Sequence, residues 1–323
     1  MAFTIRSSVN SEEVSSILYP WVEKENWDPG FDGKDIQCAY YPSDPKSFFF
    51  GTLPQEQQDN KDDKKKDRVV SSICAIQHDD NTGYIAFYVV EPSHRKNGYG
   101  LKTFNHALQH LSTCPWIGLD AVEAQMETYK KSGFVVQTPS KRYVGGIQYH
   151  IKTMAASPET TSGDTVVDLT SVAIDKLIQQ DHRYTDMHRP TFVSHWVEYH
   201  IKHAYGLALV DPKNPEQVTG FGCMRRCASG TYRIAPLYAD TPDHAFDLAI
   251  RLTAMVKEED AQFAVDAWLA TDAPKVLFED KFGWKSISTM YRMWRKGAST
   301  EQDTQPPLGL SNGFFAIASP EVG

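Results

Sequence analysis

The sequence predicts an α/β protein in which one strand–helix–strand design occurs twice. Its 323 residues are too many for one ordinary core and suit two of ~150 residues each. Apolar runs with a period of two alternate with amphipathic helical stretches along the chain. Segments of the first half also return in the second at an offset of roughly 150 residues. Gly83-Tyr84-Ile85 parallels the run Gly230–Ile234, and Leu119-Asp120-Ala121 parallels Val265-Asp266-Ala267. The stretch from Thr128 to Phe134 parallels that from Val276 to Trp284.

The elements follow in order. A helix is expected over 11–27, capped by Asn10 or Ser11 and carrying Val14, Ile17, Leu18 and Trp21 at helical spacing. Strands are expected at Phe48–Leu53 and Val69–His78. The tract between them, PQEQQDNKDDKKKDR, has five acidic and five basic residues. It reads as a solvated hairpin loop, with a partner-binding or nuclear-localisation tract as the alternative. A strand at 81–91 alternates through Ile85, Phe87 and Val89. Glu91-Pro92-Ser93 turns the chain, and a helix with Leu101, Phe104, Ala107, Leu108 and Leu111 on its apolar face follows. Trp116–Asp120 reads as a short strand, and the next helix stops at Gly133, a glycine C-cap. Phe134-Val135-Val136 opens a strand, and this unit ends near Tyr143. The linker SPETTSGD (157–164) divides the chain into domains 1–155 and 165–323.

Composition limits the function. A hydrophobic fraction of 41% and a charged fraction of 23% are those of a globular protein. The net charge of −8 argues against a general nucleic-acid binder. Five cysteines, odd in number and scattered, read as reduced thiols, and the C-x3-C pair Cys223/Cys227 is a poor zinc signal. The histidines at 182, 188, 195, 200 and 203 lack a carboxylate at ligand spacing and read as surface or core residues, so no metal is expected. With no apolar stretch of signal-peptide or membrane-spanning length, a cytoplasmic protein without a membrane partner is expected.

The most informative segment is YIAFYVVEPSHRKNGYGLKTFNHAL, 84–108. A strand ends in a basic loop, Arg95-Lys96-Asn97-Gly98-Tyr99-Gly100, that opens a helix. First-turn amides lack intrahelical partners and the helix dipole favours negative charge, so such a loop suits phosphates. Gly98 and Gly100 would let a pyrophosphate approach the backbone. The spacing is neither the dinucleotide fingerprint nor a P-loop.

Arg-x-x-Gly-x-Gly, followed by Ala124…Tyr129…Gly133-Phe134, resembles the acetyl-CoA loop and following helix of the GNAT N-acetyltransferases. Glu25-Asn26-Trp27-Asp28-Pro29-Gly30, with Leu-Asp-Ala-Val-Glu-Ala-Gln at 119–125, narrows this to the YitH-like branch, whose members carry a second GNAT-like half. The resemblance covers nearly the whole chain. It implies tandem GNAT folds, each with a mixed, mostly antiparallel central sheet flanked by helices. It also implies an acetyl-CoA co-substrate, held by Val89 and Val90 at the strand end, by the loop Arg95, Lys96, Asn97, Gly98, Tyr99 and Gly100, and by Gln125. Tyr129 falls on the tyrosine that protonates the departing sulfur, although an ordinary half-buried aromatic is the plain alternative. Many GNATs have an asparagine seven residues before that tyrosine, where this chain has Val122.

The base stays open among Glu91, Asp120, Glu123 and a water chain. Asp120 could equally be a structural carboxylate. Trp27, Asp28, Asp32 and Asp120 are the substrate-side candidates, since an acidic loop suits a cationic amine. The second half lacks the phosphate loop. Ala239-Asp240-Thr241-Pro242-Asp243-His244-Ala245 stands in its place, with carboxylates that would repel a pyrophosphate. The expected function is acetyl transfer to the amine of a small metabolite or amino-acid-like substrate. A protein or peptide N-acetyltransferase, and a non-catalytic acyl-CoA sensor or scaffold, are the alternatives. The oligomeric state is not legible.

Overall fold

The computed structural model of the chain describes residues 2–54, 67–148, 154, 159–297 and 305–323. Most of the charged tract after Leu53 and the start of the 157–164 linker lie outside these residues. In the first half, β1 (Thr4–Ser7), α1 (Ser11–Lys24), the short α2 (Tyr41–Ser43), β2 (Phe48–Leu53), β3 (Arg68–Gln77) and β4 (Thr82–Val90) come first. Then follow α3 (Tyr99–His110), β5 (Trp116–Val122), α4 (Met126–Lys131) and β6 (Val135–Gly145). The second half runs β7 (Thr165–Asp168), α5 (Ile174–Thr185), α6 (Pro190–His203), β8 (Tyr205–Asp211), β9 (Asn214–Arg226) and β10 (Tyr232–Ala239). It continues with α7 (Pro242–Ala254), β11 (Phe263–Trp268), β12 (Lys285–Lys296) and β13 (Phe314–Ala316). Asn10 caps α1 by accepting from the Glu13 amide at 2.9 Å.

The strands join in one 13-stranded sheet of order β1-β2-β3-β4-β5-β12-β6-β11-β13-β10-β9-β8-β7. Pairing is antiparallel except for β4 with β5 and β10 with β11. The fold is thus α/β with a mixed, mostly antiparallel sheet flanked by helices. The order reads nearly the same from either edge, as the internal repeat requires. At the centre the halves exchange strands. β12 of the second half lies against β5 of the first, and β6 of the first lies against β11 of the second.

Two ion pairs clasp this exchange. Arg292 on β12 binds Asp120 on β5 bidentately at 2.8 and 2.9 Å, and Arg142 on β6 binds Asp266 on β11 at 2.7 and 2.8 Å. The repeated aspartate of the Leu/Val-Asp-Ala segments is therefore the strand-exchange carboxylate in both halves.

The structure departs from the expected pattern in two places. β4 does not simply alternate. Ser72 of β3 stands opposite Val89 and Cys74 opposite Ala86, so one residue of β3 faces two of β4, Phe87 and Tyr88. This is a β-bulge, and Phe87 takes a φ of +48° within it. Tyr84, Ala86 and Phe87 consequently share the core beneath α1, whereas Ile85 and Tyr88 face α3. On α3, Phe104 and Ala107 are buried but Leu101 is 62% exposed.

Candidate functional site

Parallel pairing of β4 with β5 covers only Thr82–Tyr84 against Trp116–Gly118. Beyond it the strands diverge. Val89 and Val90 pair with Ser72 and Ser71 on β3, and β5 does not pair with them on the other side. A slot with one free strand edge therefore opens toward the N-terminus of α3.

At the slot's outer end the loop 95–100 turns through Lys96 (φ +68°) and Gly98 (φ +78°). Gly98 occupies the N-cap position of α3 without a side-chain cap, and nothing lies within 4 Å of where its Cβ would be. The first-turn amides are thus left for an outside acceptor. Gly100 also answers a packing constraint. A Cβ there would stand 2.5 Å from the Tyr88 hydroxyl and 2.9 Å from Val90, so it lets the helix close onto β4. Arg95 donates from Nε to the Val90 carbonyl at 2.9 Å and pairs with Glu25 at the end of α1. Asn97 donates to the His94 carbonyl at 3.3 Å, and the Tyr99 ring stacks on Phe3 at 4.6 Å.

Tyr129, on α4, packs against Phe104 and Phe134 at 5.7 and 6.2 Å. Phe104 also packs against Tyr88 of β4, at 5.5 Å, so the two tyrosines bracket one ring. Neither hydroxyl has a hydrogen-bond partner among the described residues. Burial first, and the neighbouring Tyr88 second, push the Tyr129 hydroxyl well above the usual phenol range. Burial pushes that of Tyr88 up to about 12. Both are neutral donors at neutral pH. Tyr88 and the exchange partner Arg292 carry no motif, and sequence reasoning missed both.

The other candidates fall into two groups. Glu91 is half-buried, with Arg68 at 2.6 Å and His94 at 2.9 Å, while Glu123 and Gln125 lie exposed on the turn after β5. Asp120 also accepts from the Tyr84 hydroxyl at 2.7 Å besides its bidentate Arg292, so neither oxygen is free. Trp27 and Asp28 dock the halves together. Both carbonyls accept from Arg233, at 3.1 and 2.9 Å, and the Asp28 carboxylate accepts from the Ser229 amide at 2.9 Å. Asp32 is exposed, 3.4 Å from Lys34.

The second half presents the counterpart slot in a filled state. β10 and β11 pair in parallel over Tyr232–Ile234 against Phe263–Val265 and then diverge. β13 enters the gap, with Leu237 and Ala267 both opposite Ala316 and Tyr238 opposite Phe314. Phe314, Phe315 and Ala316 are at most 2% exposed. The helix behind this slot, α7, is capped at its N-terminus by the Thr241 hydroxyl, which accepts from the His244 amide at 3.2 Å. Asp240 beside it is held by Arg183 at 2.8 Å and by Tyr184. The carboxylates expected there are present, and the slot itself is closed by the chain.

No group of three or more His, Cys, Asp or Glu side chains that could hold a metal occurs among the described residues. His200 is buried, with Nδ1 on the Trp196 carbonyl at 2.7 Å. No described helix is long and apolar enough to cross a membrane.

Comparison with known proteins agrees with this geometry. Residues 16–134 match the model of the "Acetyltransferase (GNAT) family", and residues 177–306 that of an "Acetyltransferase (GNAT) domain". A holothin acyltransferase of Pseudoalteromonas sp. (strain SANK 73390) is 27% identical over 320 residues, 99% of this chain and 95% of that one. Among solved structures, a candidate acetyltransferase from Pyrococcus horikoshii superposes with a TM-score of 0.69 at 15% identity, over 99% of this chain and 96% of the other. A tandem GNAT protein from the clavulanic acid biosynthesis pathway gives a TM-score of 0.58 at 9% identity, covering 94% and 100%.

Proposed function

We propose, from the premise that this chain belongs to the GNAT superfamily in both of its halves, that it is an acetyl-CoA-dependent N-acetyltransferase acting on a small amine. The N-terminal half is the donor domain. One observation carries this reading: of two equivalent slots, the first is open beside an uncapped helix N-terminus and the second is filled by β13.

The residues fit the coenzyme. The α3 amides at Tyr99 and Gly100, with Lys96 and Arg95, offer donors and positive charge to a pyrophosphate. The edge of β4 at Val89–Val90 that β5 leaves unpaired offers backbone groups to an extended amide-bearing arm, which would compete with Arg95 for the Val90 carbonyl. Acetyl-CoA supplies an acyl group already activated as a thioester. Tyr129, held neutral by its surroundings, supplies the proton that a departing thiolate requires. Where the halves meet below β4, the space is a cavity with room for about one water. Five free cysteines support a reducing, cytoplasmic setting.

The test is calorimetric titration with acetyl-CoA. One site per chain is expected, lost in Gly98→Glu, which places a carboxylate at the open N-cap. Absence of saturable binding would overturn the reading.

A further inference from the structure

The acceptor's proton still lacks a destination. Glu91 is tied to Arg68 and His94, both oxygens of Asp120 are taken, and Glu123 is exposed. The fold brings a different carboxylate beneath the bulge of β4 from far along the chain. After β13 the segment 317–323 crosses to the first half and runs along the face of β4 opposite α3. A Cβ on Gly323 would stand 3.1 Å from Tyr84, the Val322 carbonyl meets His78 Nε2 at 3.0 Å, and Ser319 hydrogen-bonds Tyr40 at 2.7 Å. Between these anchors Glu321 enters a cavity walled by Phe87, Trp27, Tyr40, Asp35, Arg225 and Arg233. Phe87 is the bulged residue of β4, two positions before Val89.

The cavity is polar and incompletely satisfied. Arg225 and Arg233 are each 1% exposed, yet Nη1 of Arg225 and Nε of Arg233 have no hydrogen-bond partner, while Nε of Arg225 faces Asp35 at 3.3 Å. Such orphaned donors, in room for about one water, describe a water site. One oxygen of Glu321 accepts from the Ser319 hydroxyl, and the other has no partner among the described residues. The surrounding charges are largely committed. Asp35 accepts from the amides of Gly30 and Ile36 and lies 3.3 Å from Arg225. Arg233 lies 3.6 Å from Asp28 and 3.9 Å from Asp266, which Arg142 holds. Burial raises the Glu321 carboxyl above its ordinary range, against the pull of Ser319, Arg233 and Arg225. A base is more effective when its proton affinity is raised in this direction.

We propose that Glu321 is the general base, receiving the acceptor's proton through this water; the assignment rests on the acetyl-transfer reading of the first half. The amine nitrogen bonds to the thioester carbonyl carbon, and its proton passes through the water to the Glu321 carboxylate. The carbon–sulfur bond then breaks, and the sulfur takes a proton from Tyr129. Exchange with solvent returns a proton to Tyr129 and removes one from Glu321, leaving amide and thiol.

The test measures thiol release by the full chain from acetyl-CoA with a panel of small primary amines, from glycinamide to tyramine, using the best acceptor. Glu321→Gln should lower kcat about 100-fold and erase the acid limb of the rate profile, with acetyl-CoA affinity held within about threefold. Glu321→Asp should restore part of the rate. Ser319→Ala removes a hydrogen bond that favours the charged carboxylate, so the acid limb should move to higher pH. That variant also serves should Glu321→Gln fail to fold. Wild-type rate and acid limb in Glu321→Gln, or an unmoved limb in Ser319→Ala, would overturn the assignment while leaving acetyl transfer standing. Failure of the wild type to bind acetyl-CoA or to turn over any amine would instead overturn the parent reading, and this one with it.

Discussion

Substituting Asp120 by Asn separates a clasp from a catalyst. Its side chain is buried with that of Arg292, their side-chain exposures being 0% and 3%. Arg292 also lies over the Trp268 and Tyr84 rings, at 4.9 and 5.3 Å, and has no second carboxylate among the described residues. Asparagine keeps the shape but leaves the guanidinium buried against a neutral amide. Breaking a buried pair from one side costs about 3–5 kcal/mol, roughly a 10²–10³·⁵-fold loss in the folding constant. Against a typical total of about 5–15 kcal/mol this is a large fraction. Urea unfolding of Asp120→Asn should therefore show a strongly lowered midpoint, and Arg142→Met at the symmetric clasp should do the same. The double variant Asp120→Leu/Arg292→Met, which leaves no unpaired charge, should recover much of the loss. Turnover per folded molecule should stay within about threefold. Wild-type stability in Asp120→Asn, together with a 100-fold fall in turnover (an order-of-magnitude threshold), would refute the clasp and return Asp120 to the list of bases.

Three further outcomes are expected. Tyr129→Phe should reduce kcat by about 10²-fold or more while acetyl-CoA affinity holds, since only the proton donor is lost; equal losses in both would mean a packing role. Gly100→Ala should cost about 1–3 kcal/mol, because the new methyl meets the Tyr88 hydroxyl and Val90, and a neutral result in urea unfolding would refute that contact. His200 is buried and His78 half-buried, both neutral, desolvation lowering each from 6.5 to about 3. Between these values the unfolded chain binds more protons, so stability is present above pH 6.5 and is lost as the pH falls. From pH 6.5 to 5 each histidine should remove about 2 kcal/mol. Urea midpoints that stay flat between pH 7 and 5 would contradict this.

What the sequence determined by itself is local. The N-cap of α1, the strand and loop at 82–100, the glycine stop after α4 and the missing phosphate loop of the second half all follow from rules acting over a few residues. The repeat also made the duplication legible, because equivalent positions need equivalent residues. The coenzyme loop belongs to this class, since an anion site at a helix N-terminus is built from consecutive residues. What only the tertiary structure decided is how distant segments meet. The Leu/Val-Asp-Ala repeat could not reveal that each aspartate pairs with an arginine of the other half, because strand order depends on long-range pairing and not on local pattern. Trp27 and Asp28 suited a cationic substrate as a sequence, yet their carbonyls and carboxylate are spent on Arg233 and Ser229, some 200 residues away. β13 is three residues long and lies beyond the repeat. Its role as the filling of the second slot exists only because β10 and β11 diverge around it. The chain past β13 reaches Phe87 for the same reason, carrying Glu321 into a site that no spacing in the sequence announces.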